Sequence, residues 1–490
     1  MTDLEQYFLP YRNQIIGIDE RFETPYGQKP IMYADWIASG RLYRPIENRL
    51  VEDFGPYVAN THTETTTTGT LMTKAYQFSH DYIKKHVNAG PNDVIITAGS
   101  GMTAVINKLQ RILSIKGCTE HRKDCPKQTD KPVVFVSHME HHSNHTSWFE
   151  TMAELVQIEP DDNLLINLED LEAKLEQYRD REFKIGSFTA CSNVTGIRTP
   201  IHEMARLMHR YGGLIFVDYA AGAPYMDINM HPEDPLEKLD AVFFSPDKFL
   251  GGPGSSGVLI FDKAMYHSEV PDNPGGGTVD WTNPWGNYKY VDDIEVREDG
   301  GTPGFLQSIR AALAIELKEK MGVTRMQARE KELLEIAFRE LGKIPGIEIL
   351  AGDQKDRLGI ISFYHPDIHF NLVVKLLNDR YGIQTRGGCA CAGTYGHYLL
   401  EVSYDQSREI TDKINHGDLS EKPGWIRWSL HPTTSTEEVK HFIRAVGEIV
   451  ENIDDWERDY VYLQRKNEFT HKNQLNQTRE KKIITNWFSL

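Results

Sequence analysis

The feature that most constrains the fold is an alternation of short apolar runs with helical patterns, which begins near residue 93. Five runs of strand length are rich in β-branched and aromatic residues: 93–99, 133–137, 213–220, 240–245 and 256–261. Helical patterns at 101–113 and 199–209 separate some of them. Strands that alternate with helices predict a mainly parallel sheet covered on both faces. We therefore expect an α/β fold whose ligands bind outside the carboxyl ends of the strands.

The pattern changes after Thr302. Helical periodicity runs from about Phe305 to Leu341, and Ser435 with Glu438 has the spacing of a capping box. Between them, strands are predicted at 359–365, near 383–386 and at 425–430, with a helix over 370–380. These elements predict a second, smaller α+β domain.

Four regions are expected along the chain. They are an N-terminal segment (1–30), a large domain (31–314), a small C-terminal domain (315–465) and a polar tail (466–490). The stretches 117–131 and 402–424 are polar and predict surface loops.

The composition narrows the classes of function. The chain has 490 residues, with 71 Asp and Glu against 54 Lys and Arg, and a formal charge of −17. Such an acidic surface repels phosphate backbones, which argues against nucleic-acid binding. No apolar run approaches the roughly 18 residues of a membrane span. Five cysteines and no signal-peptide pattern favour a reducing compartment, so a cytoplasmic protein without a membrane partner is expected.

Two charged residues follow predicted buried strands. Lys248 lies in a glycine-rich stretch, 245–257, and Asp218 ends the apolar run 213–218. A lysine in a suitable environment forms imines. A carboxylate that pairs with a protonated pyridine nitrogen makes that ring an electron sink. Taken singly, each residue has a structural alternative: a surface lysine beside a flexible turn, and an aspartate that caps a helix.

Two further motifs follow strands. Gly101 and Thr103 open a helix after the strand at 93–99, and helix-start amides bind phosphate, although a plain strand–helix connection is the alternative. The stretch 138–145 holds four histidines. Their spacing matches no standard zinc pattern. An imidazole that covers a cofactor ring is an equal candidate, and no metal is expected.

Two motifs lie in the predicted small domain. Cys389 and Cys391 lie in a glycine-bounded stretch that begins at Arg386. A cation beside a thiol favours the reactive thiolate. Inert small residues and half of a metal site are the alternatives. Arg427 lies within a strongly apolar strand, where its guanidinium needs an anion. Bidentate carboxylate recognition is a natural use, and a structural ion pair is the alternative.

Together these motifs resemble the class V aminotransferase family of fold type I pyridoxal-phosphate enzymes, and within it the Suf-type cysteine desulfurases. The resemblance covers roughly residues 30–455. It implies a large domain with a mainly parallel, seven-stranded type of sheet between helices, a smaller α+β C-terminal domain, and pyridoxal 5′-phosphate as cofactor.

The resemblance also implies roles for individual residues. Lys248 binds the cofactor covalently, Asp218 contacts its pyridine nitrogen, and His141 stacks on its ring. The other implied cofactor-binding residues are Gly101, Met102, Thr103, Asn193, Ser245 and Thr302. Thr302 resembles a residue that reaches the phosphate of a neighbouring subunit, which implies a homodimer.

The implied substrate-binding residues are Arg427, Arg386 and Asn193, and Cys391 matches the persulfide-forming cysteine. The sequence departs from the family at Asp247, where a phosphate-binding histidine is usual, and at Ala221, where a glutamine is usual. A second carboxylate that faces a phosphate is unfavourable, so Asp247 is expected to point away or to pair with a base. Cys389 is an addition to the family loop.

The expected function is a cysteine desulfurase that transfers sulfur from L-cysteine to Cys391 as a persulfide and releases L-alanine. A sulfur-acceptor protein is a possible partner. The alternative is a lyase, aminotransferase or epimerase with the same cofactor that acts on another amino acid, selenocysteine included, because a shared scaffold does not fix the reaction. A non-enzymatic module would lack the lysine or the aspartate, and both are present.

Overall fold

The computed structural model describes residues 1–61, 63–117, 131–473 and 476–489. The α-helices within these residues are, in chain order, α1 (Asp3–Arg12), α2 (Arg44–Asn48), α3 (Thr67–His86), α4 (Met102–Ile112), α5 (His142–Phe149), α6 (Leu168–Gln177), α7 (Ile201–Arg210), α8 (Ile294–Arg297), α9 (Phe305–Met321), α10 (Val323–Leu341), α11 (Phe370–Leu376), α12 (Gly393–Leu399), α13 (Tyr404–Asn415), α14 (Thr436–Glu451), α15 (Ile453–Trp456) and α16 (Asn476–Trp487).

The strands are, in chain order, β1 (Arg21–Thr24), β2 (Gly27–Pro30), β3 (Met32–Tyr33), β4 (Asp93–Ala98), β5 (Val133–Ser137), β6 (Glu154–Ile158), β7 (Lys184–Thr189), β8 (Leu214–Asp218), β9 (Ala241–Phe244), β10 (Gly257–Asp262), β11 (Val279–Thr282), β12 (Tyr288–Tyr290), β13 (Glu348–Ile349), β14 (Ile360–Tyr364), β15 (Ile383–Gln384), β16 (Arg386–Gly388), β17 (Trp425–Ser429), β18 (Tyr460–Leu463) and β19 (Glu468–His471).

A seven-stranded sheet forms the centre of the larger part of the molecule, in the order β4-β10-β9-β8-β7-β5-β6. Only β10 runs antiparallel to its neighbours, β9 and β4. Every residue of β5, β7 and β9 is buried. The predicted mainly parallel sheet is therefore confirmed, and burial on both faces explains why these strands are continuous apolar runs.

Alternate residues of the central strands supply two separate cores. Val133 and Phe135 pack with α3, α6, α7 and α9 on one face of the sheet, whereas Val134 and Val136 pack with α4 and Trp148 of α5 on the other. This follows from the two-residue period of a strand, which sends successive side chains to opposite faces.

A second sheet, of four antiparallel strands in the order β13-β14-β17-β16, forms the smaller part of the molecule. Helices α10, α11 and α14 pack against it. The early strand β3 pairs in parallel with β15, so that Met32 lies opposite Ile383 and Tyr33 opposite Gln384. The start of the chain is thereby joined to this smaller part.

The helix predictions hold in part. The capping box of Ser435 and Glu438 is confirmed at the start of α14. The single helical pattern of 305–341 is divided into α9 and α10 at Gly322, whose φ is +76°. The prediction of a loop over 402–424 is wrong, because α13 lies there. This helix buries no residue, and its strongly polar composition is typical of a loop.

Other predictions concern regions rather than elements. Residues 118–130 of the predicted loop, with Cys118 and Cys125, lie outside the described residues. The four-part division of the chain stays a prediction. Its boundary at 314/315 falls inside α9, and its boundary at 465/466 falls between the paired strands β18 and β19. Within the part of the chain that is described, no helix has the length and apolar character to cross a membrane.

Candidate active site

A cavity of about 250 Å³ lies at the carboxyl ends of the central strands. It brings together every predicted site residue except Thr302. The predicted residues that line it are Gly101, Met102, Thr103, His141, Asn193, Asp218, Ser245, Lys248, Arg386, Cys391 and Arg427. These residues come from both the central sheet and the second sheet, so the cavity lies between the two parts of the molecule.

Asp218 is the last residue of β8 and is buried. Its Oδ1 accepts a hydrogen bond of 2.8 Å from the amide of Ala220. Burial raises the pKa of Asp218 to about 6, against the opposing effects of that hydrogen bond and of Lys248. A buried carboxylate of this kind favours a cationic ligand group.

Lys248 ends a short helical turn, Pro246–Lys248, directly after β9. Burial lowers the pKa of Lys248, and the charges of Asp218 and Asp247 oppose the shift. A Cβ at Gly252 would lie 1.8 Å from the carbonyl oxygen of Pro246, so only glycine fits the turn that follows the lysine. Lys248 thus lies in the same cavity as Asp218, and its lowered pKa makes its amine easier to deprotonate than that of an exposed lysine.

The start of α4 forms an anion cradle. The amide of Met102 donates a hydrogen bond of 2.9 Å to Oγ of Ser245. Thr103 Oγ1 lies 2.7 Å from Ser143 Oγ. A Cβ on Gly101 would lie 3.0 Å from Ser245 Oγ and would narrow this space. Amides at a helix start and hydroxyls together suit a phosphate group.

His141 caps α5, and its Nδ1 accepts a hydrogen bond of 3.1 Å from the amide of Ser143. Burial, with a contribution from Lys248, lowers the pKa of His141 to about 3. Its imidazole is therefore neutral at ordinary pH, as a ring that covers an aromatic cofactor should be.

The other three histidines of this stretch have different partners. His138 donates to the carbonyl of Leu164 at 3.0 Å, His142 contacts Gly393, and His145 lies 3.4 Å from the hydroxyl of Thr394. Among the residues that the structure describes, no group of three or more His, Cys, Asp or Glu side chains is arranged to hold a metal ion.

Arg427 and Arg386 share one carboxylate, which the sequence analysis missed. Asp35 accepts from Nη2 of Arg427 at 2.8 Å through one oxygen and from Nε of Arg386 at 3.1 Å through the other. Arg427 therefore has the structural ion pair that was the alternative to ligand binding, and it also lines the cavity. Asp35 lies 392 residues from Arg427 in the chain, so no local pattern relates the two.

Cys391 is exposed and lies on a turn with an unusual backbone. Ala390 and Cys391 both have positive φ, at 50° and 58°, and the amide of Ala392 closes the turn by donating to the carbonyl of Cys389 at 3.0 Å. Left-handed backbone at a residue other than glycine costs about 1–3 kcal/mol and persists only where the surroundings hold it.

Two residues on the other side of the cavity hold this turn. Asn193 donates from Nδ2 to the carbonyl of Ala390 at 2.7 Å, and the backbone amide of His142 donates to the carbonyl of Cys391 at 2.8 Å. Nε2 of His142 also accepts from the amide of Gly393 at 3.0 Å. The sequence analysis missed His142, since nothing in the histidine spacing separates it from its neighbours.

A second cysteine, Cys191, lines the same cavity but differs in its environment. It is completely buried, and burial raises the pKa of its thiol. A buried apolar site makes a cysteine inert. Cys391 is the exposed thiol of the two.

The position of Asp247 differs from the one expected from the sequence. It was expected to point away or to pair with a base, but it lines the cavity, and within the described residues its buried Oδ1 has no hydrogen-bond partner. Its backbone carbonyl accepts from the amide of Gly40 at 2.9 Å, which fixes the turn, and Lys248 supplies the neighbouring positive charge. Burial raises the pKa of Asp247, so its carboxyl takes up a proton more readily.

Three buried polar atoms at this cavity lack a partner among the described residues: Asn193 Oδ1, Asp247 Oδ1 and Arg427 Nε. Buried polar groups are normally hydrogen-bonded, so the arrangement suits a polar ligand. Pyridoxal 5′-phosphate fits the residues present. Its ring nitrogen suits Asp218, its ring hydroxyl suits Asn193, its aldehyde suits Lys248 and its phosphate suits the cradle at α4.

Thr302 is exposed and does not line this cavity. Its predicted reach into a neighbouring subunit stays a prediction.

The model of the aminotransferase class-V family matches residues 32–442. The chain belongs to the class-V aminotransferase family. Members of this family are pyridoxal-phosphate enzymes, and the chain has the lysine, the aspartate and the phosphate cradle that the cofactor requires. The protein is therefore a pyridoxal-phosphate enzyme, as the sequence predicts, and the alternative of a non-enzymatic module is set aside.

Similar proteins agree with this family. A probable cysteine desulfurase of Halalkalibacterium halodurans is 28% identical over 369 residues, which cover 74% of this chain and 84% of the relative. A probable cysteine desulfurase of Staphylococcus aureus is 27% identical over 420 residues, covering 82% and 95%.

Solved structures confirm the fold. The apo cysteine desulfurase of Thermococcus onnurineus has a TM-score of 0.72 at 22% identity and covers 90% of this chain and 98% of its own. A cysteine desulfurase of Escherichia coli has a TM-score of 0.70 at 20% identity, covering 92% and 99%. The fold is that of the fold type I pyridoxal-phosphate enzymes.

Proposed function

We propose that this protein is a cysteine desulfurase, which moves the sulfur of L-cysteine to Cys391 and releases L-alanine. The observation that carries the proposal is that Cys391, an exposed thiol, lines the same cavity as Lys248 and Asp218. The relatives named as probable cysteine desulfurases support this choice within the family.

In this proposal, Lys248 binds pyridoxal 5′-phosphate covalently. When bound, the cofactor acts as an electron sink for bonds at the α-carbon of an amino acid. Asp218 would hold a proton on the ring nitrogen, His141 would cover one face of the ring, and the cradle at the start of α4 would hold the phosphate by amide and hydroxyl donors.

The substrate is held and deprotonated by residues of both parts of the molecule. Arg427 recognises the carboxylate of L-cysteine, and its unpartnered Nε is a free donor for that purpose. Asp35 fixes the guanidinium through Nη2. Lys248, whose pKa burial lowers, would take the proton from the α-carbon as a general base once the substrate amine has released it from the cofactor.

Sulfur transfer then takes place at Cys391. Its thiolate attacks the sulfur of the bound substrate, a sulfur–sulfur bond forms, and the carbon–sulfur bond breaks with its electron pair left on the β-carbon. A proton added at that carbon completes L-alanine. One thiol and L-cysteine thus give one persulfide and L-alanine without an external oxidant. The reach of the thiol matters as much as its acidity, because displacement requires in-line approach.

The finer expectations belong to the same proposal. Thr302, exposed and outside the cavity of its own chain, would complete the phosphate site of a second subunit in a homodimer. A thiol that must stay reduced favours a cytoplasmic location and a sulfur-acceptor protein as partner. The Suf-type assignment rests on Arg386 and the short loop that follows it.

Incubation of the purified enzyme with L-cysteine tests the proposal, with alanine and sulfide measured together. We expect equimolar alanine and sulfur, and no sulfur release from Cys391→Ser or Lys248→Ala. Cys191→Ser is the matched control. It removes another thiol of the same cavity, and burial keeps that thiol inert. Full sulfur release by Cys391→Ser would contradict the proposal.

A second candidate is a lyase, aminotransferase or epimerase that acts on another amino acid, selenocysteine included. Asp247 and Ala221, which line the cavity where the family usually has histidine and glutamine, favour it. Product analysis with a panel of amino acids separates the two functions. A keto acid or a D-isomer would support the second candidate, whereas alanine with persulfide supports the desulfurase.

A further inference from the structure

A groove of about 880 Å³ runs along the outer side of the cysteine turn. Strand β16, helix α11 and the segment 466–471 contribute to its walls. Cys389 and Cys391 both line this groove, but only Cys391 also lines the active-site cavity. Cys391 thus borders both spaces, whereas Cys389 borders only the outer one of the two and is partly buried against the apolar cluster around Trp425.

The turn keeps these two cysteines close to each other. One residue separates Cys389 from Cys391, so their Cα atoms are at most about 7 Å apart, and the positive φ of Ala390 bends the chain between them. Two cysteines can share a sulfur–sulfur bond when their Cα atoms are about 4.4–6.8 Å apart, so a bent chain of this length suits sulfur exchange between them. The hydrogen bond from Ala392 to Cys389 holds the turn closed.

The two ends of the turn are held differently. The carbonyls of Ala390 and Cys391 accept hydrogen bonds from Asn193 and His142 across the cavity. Before Cys389, Gly388 has a φ of +113°, and a Cβ there would meet nothing within 4 Å. The inner cysteine is held from across the cavity, whereas the outer one follows Gly388, the last residue of β16, which pairs with Trp425 of β17.

We propose that Cys389 is a second persulfide site, which takes the sulfur from Cys391 and presents it to a thiol acceptor in the outer groove. The proposal rests on the desulfurase function. In the step, the thiolate of Cys389 attacks the terminal sulfur of the Cys391 persulfide. The bond between that sulfur and Cys391 Sγ breaks, its electron pair leaves with Cys391 as a thiolate, and no oxidant is consumed.

We call this transfer of sulfur from Cys391 to Cys389 the relay. It frees Cys391 for the next substrate and leaves the sulfur on Cys389, outside the active-site cavity. A thiol acceptor then attacks the terminal sulfur on Cys389 from the groove. It need not enter the cavity of about 250 Å³ that holds the cofactor and substrate residues.

A single-turnover experiment with the holoenzyme tests the relay. Enzyme is mixed with one equivalent of L-cysteine and alkylated, and fragmentation of the peptide that carries both cysteines locates the added sulfur. We expect it on both cysteines in the wild type and on Cys391 alone in Cys389→Ser. With glutathione as acceptor, the ratio of steady-state turnover to first-turnover alanine should fall about tenfold in Cys389→Ser. Cys389→Ala should behave like Cys389→Ser, and Lys174→Ala, on helix α6 and outside the lining of the active-site cavity, should match the wild type.

The outcomes separate the two proposals. Alanine formed by a wild type that carries sulfur on Cys391 alone, or an unchanged turnover ratio in Cys389→Ser, would overturn the relay and leave the desulfurase standing. A disulfide between the two cysteines with release of sulfide would also overturn it, because the attack would then occur at the inner sulfur. Failure of the wild type to form alanine would overturn the desulfurase itself.

Discussion

The two sides of the active-site cavity are built in different ways. On one side, Asp218 ends one buried strand of the central sheet and Ser245 and Lys248 follow another, and burial shifts the pKa of Asp218 upwards and that of Lys248 downwards. On the other side, Cys391 lies on a left-handed turn that depends on a few hydrogen bonds. The charged residues that act on the cofactor thus lie at strand ends of the sheet. The cysteine that accepts sulfur lies on a turn whose geometry depends on neighbouring residues.

The largest effect should come from the sheet side. Lys248→Ala removes both the covalent attachment of the cofactor and the general base, so alanine formation should fall at least about 1,000-fold. Alanine release and the visible absorption of the holoenzyme measure it. Lys174→Ala, on the distant helix α6, is the control. Retention of a tenth of the wild-type rate would assign the base to another residue.

Alkylation compares the two cavity cysteines directly. Cys391 should react with iodoacetamide about 100-fold or more faster than Cys191 in the native protein, because a buried thiol reacts only when the structure opens. Peptide mass mapping over time measures both rates. In denaturant the two rates should converge, and equal rates in the native state would show that burial does not protect Cys191.

Loss of a hydrogen bond that holds the cysteine turn should have an intermediate effect on the rate of sulfur transfer. His142→Ala removes the acceptor of the Gly393 amide, and sulfur transfer should slow about tenfold with little change in KM, because in-line reach of the thiol is lost. His145→Ala is the matched control on the same helix, since its ring packs against Phe149 and makes a long contact of 3.4 Å to Thr394, and neither contact holds the carbonyl groups of the cysteine turn. A rise in KM without loss of rate would assign His142 to substrate binding instead.

The smallest effect concerns Asp247 and the stability of the apoprotein. Burial raises the pKa of its carboxyl, so the folded protein binds this proton more tightly than the unfolded chain does. Stability is therefore lost as pH rises above the ordinary carboxyl range through the raised pKa. Asp247→Asn should melt at a higher temperature than the wild type at about pH 8, and the difference should shrink towards about pH 4.

Scanning calorimetry over this pH range measures the effect, with the exposed Asp162→Asn as control. A difference in melting temperature that does not change with pH would show that packing, rather than titration of Asp247, causes it.

The site residues at the central sheet could be predicted from the sequence. The contacts that hold the cysteine turn could be predicted only in part. Strand β5 matches its predicted run at 133–137, because burial on both faces leaves a continuous apolar signal. Asp218 and Lys248 follow such strands, so their proximity was a consequence of topology. Asp35 contacts Arg427, and His142 contacts Gly393. Hundreds of residues separate the members of each pair in the chain, so no local sequence pattern predicts these contacts.

The pairing of β3 with β15 also sets the order in which the catalytic centre is completed during synthesis. A chain that leaves the ribosome from its amino end has released all seven central strands, through β10, long before Ile383 emerges. Asp35 must wait until then for Arg386 and Arg427. A nascent chain halted before residue 383 already contains Lys248 and Asp218, but the two arginines that would bind the substrate carboxylate have not yet been translated.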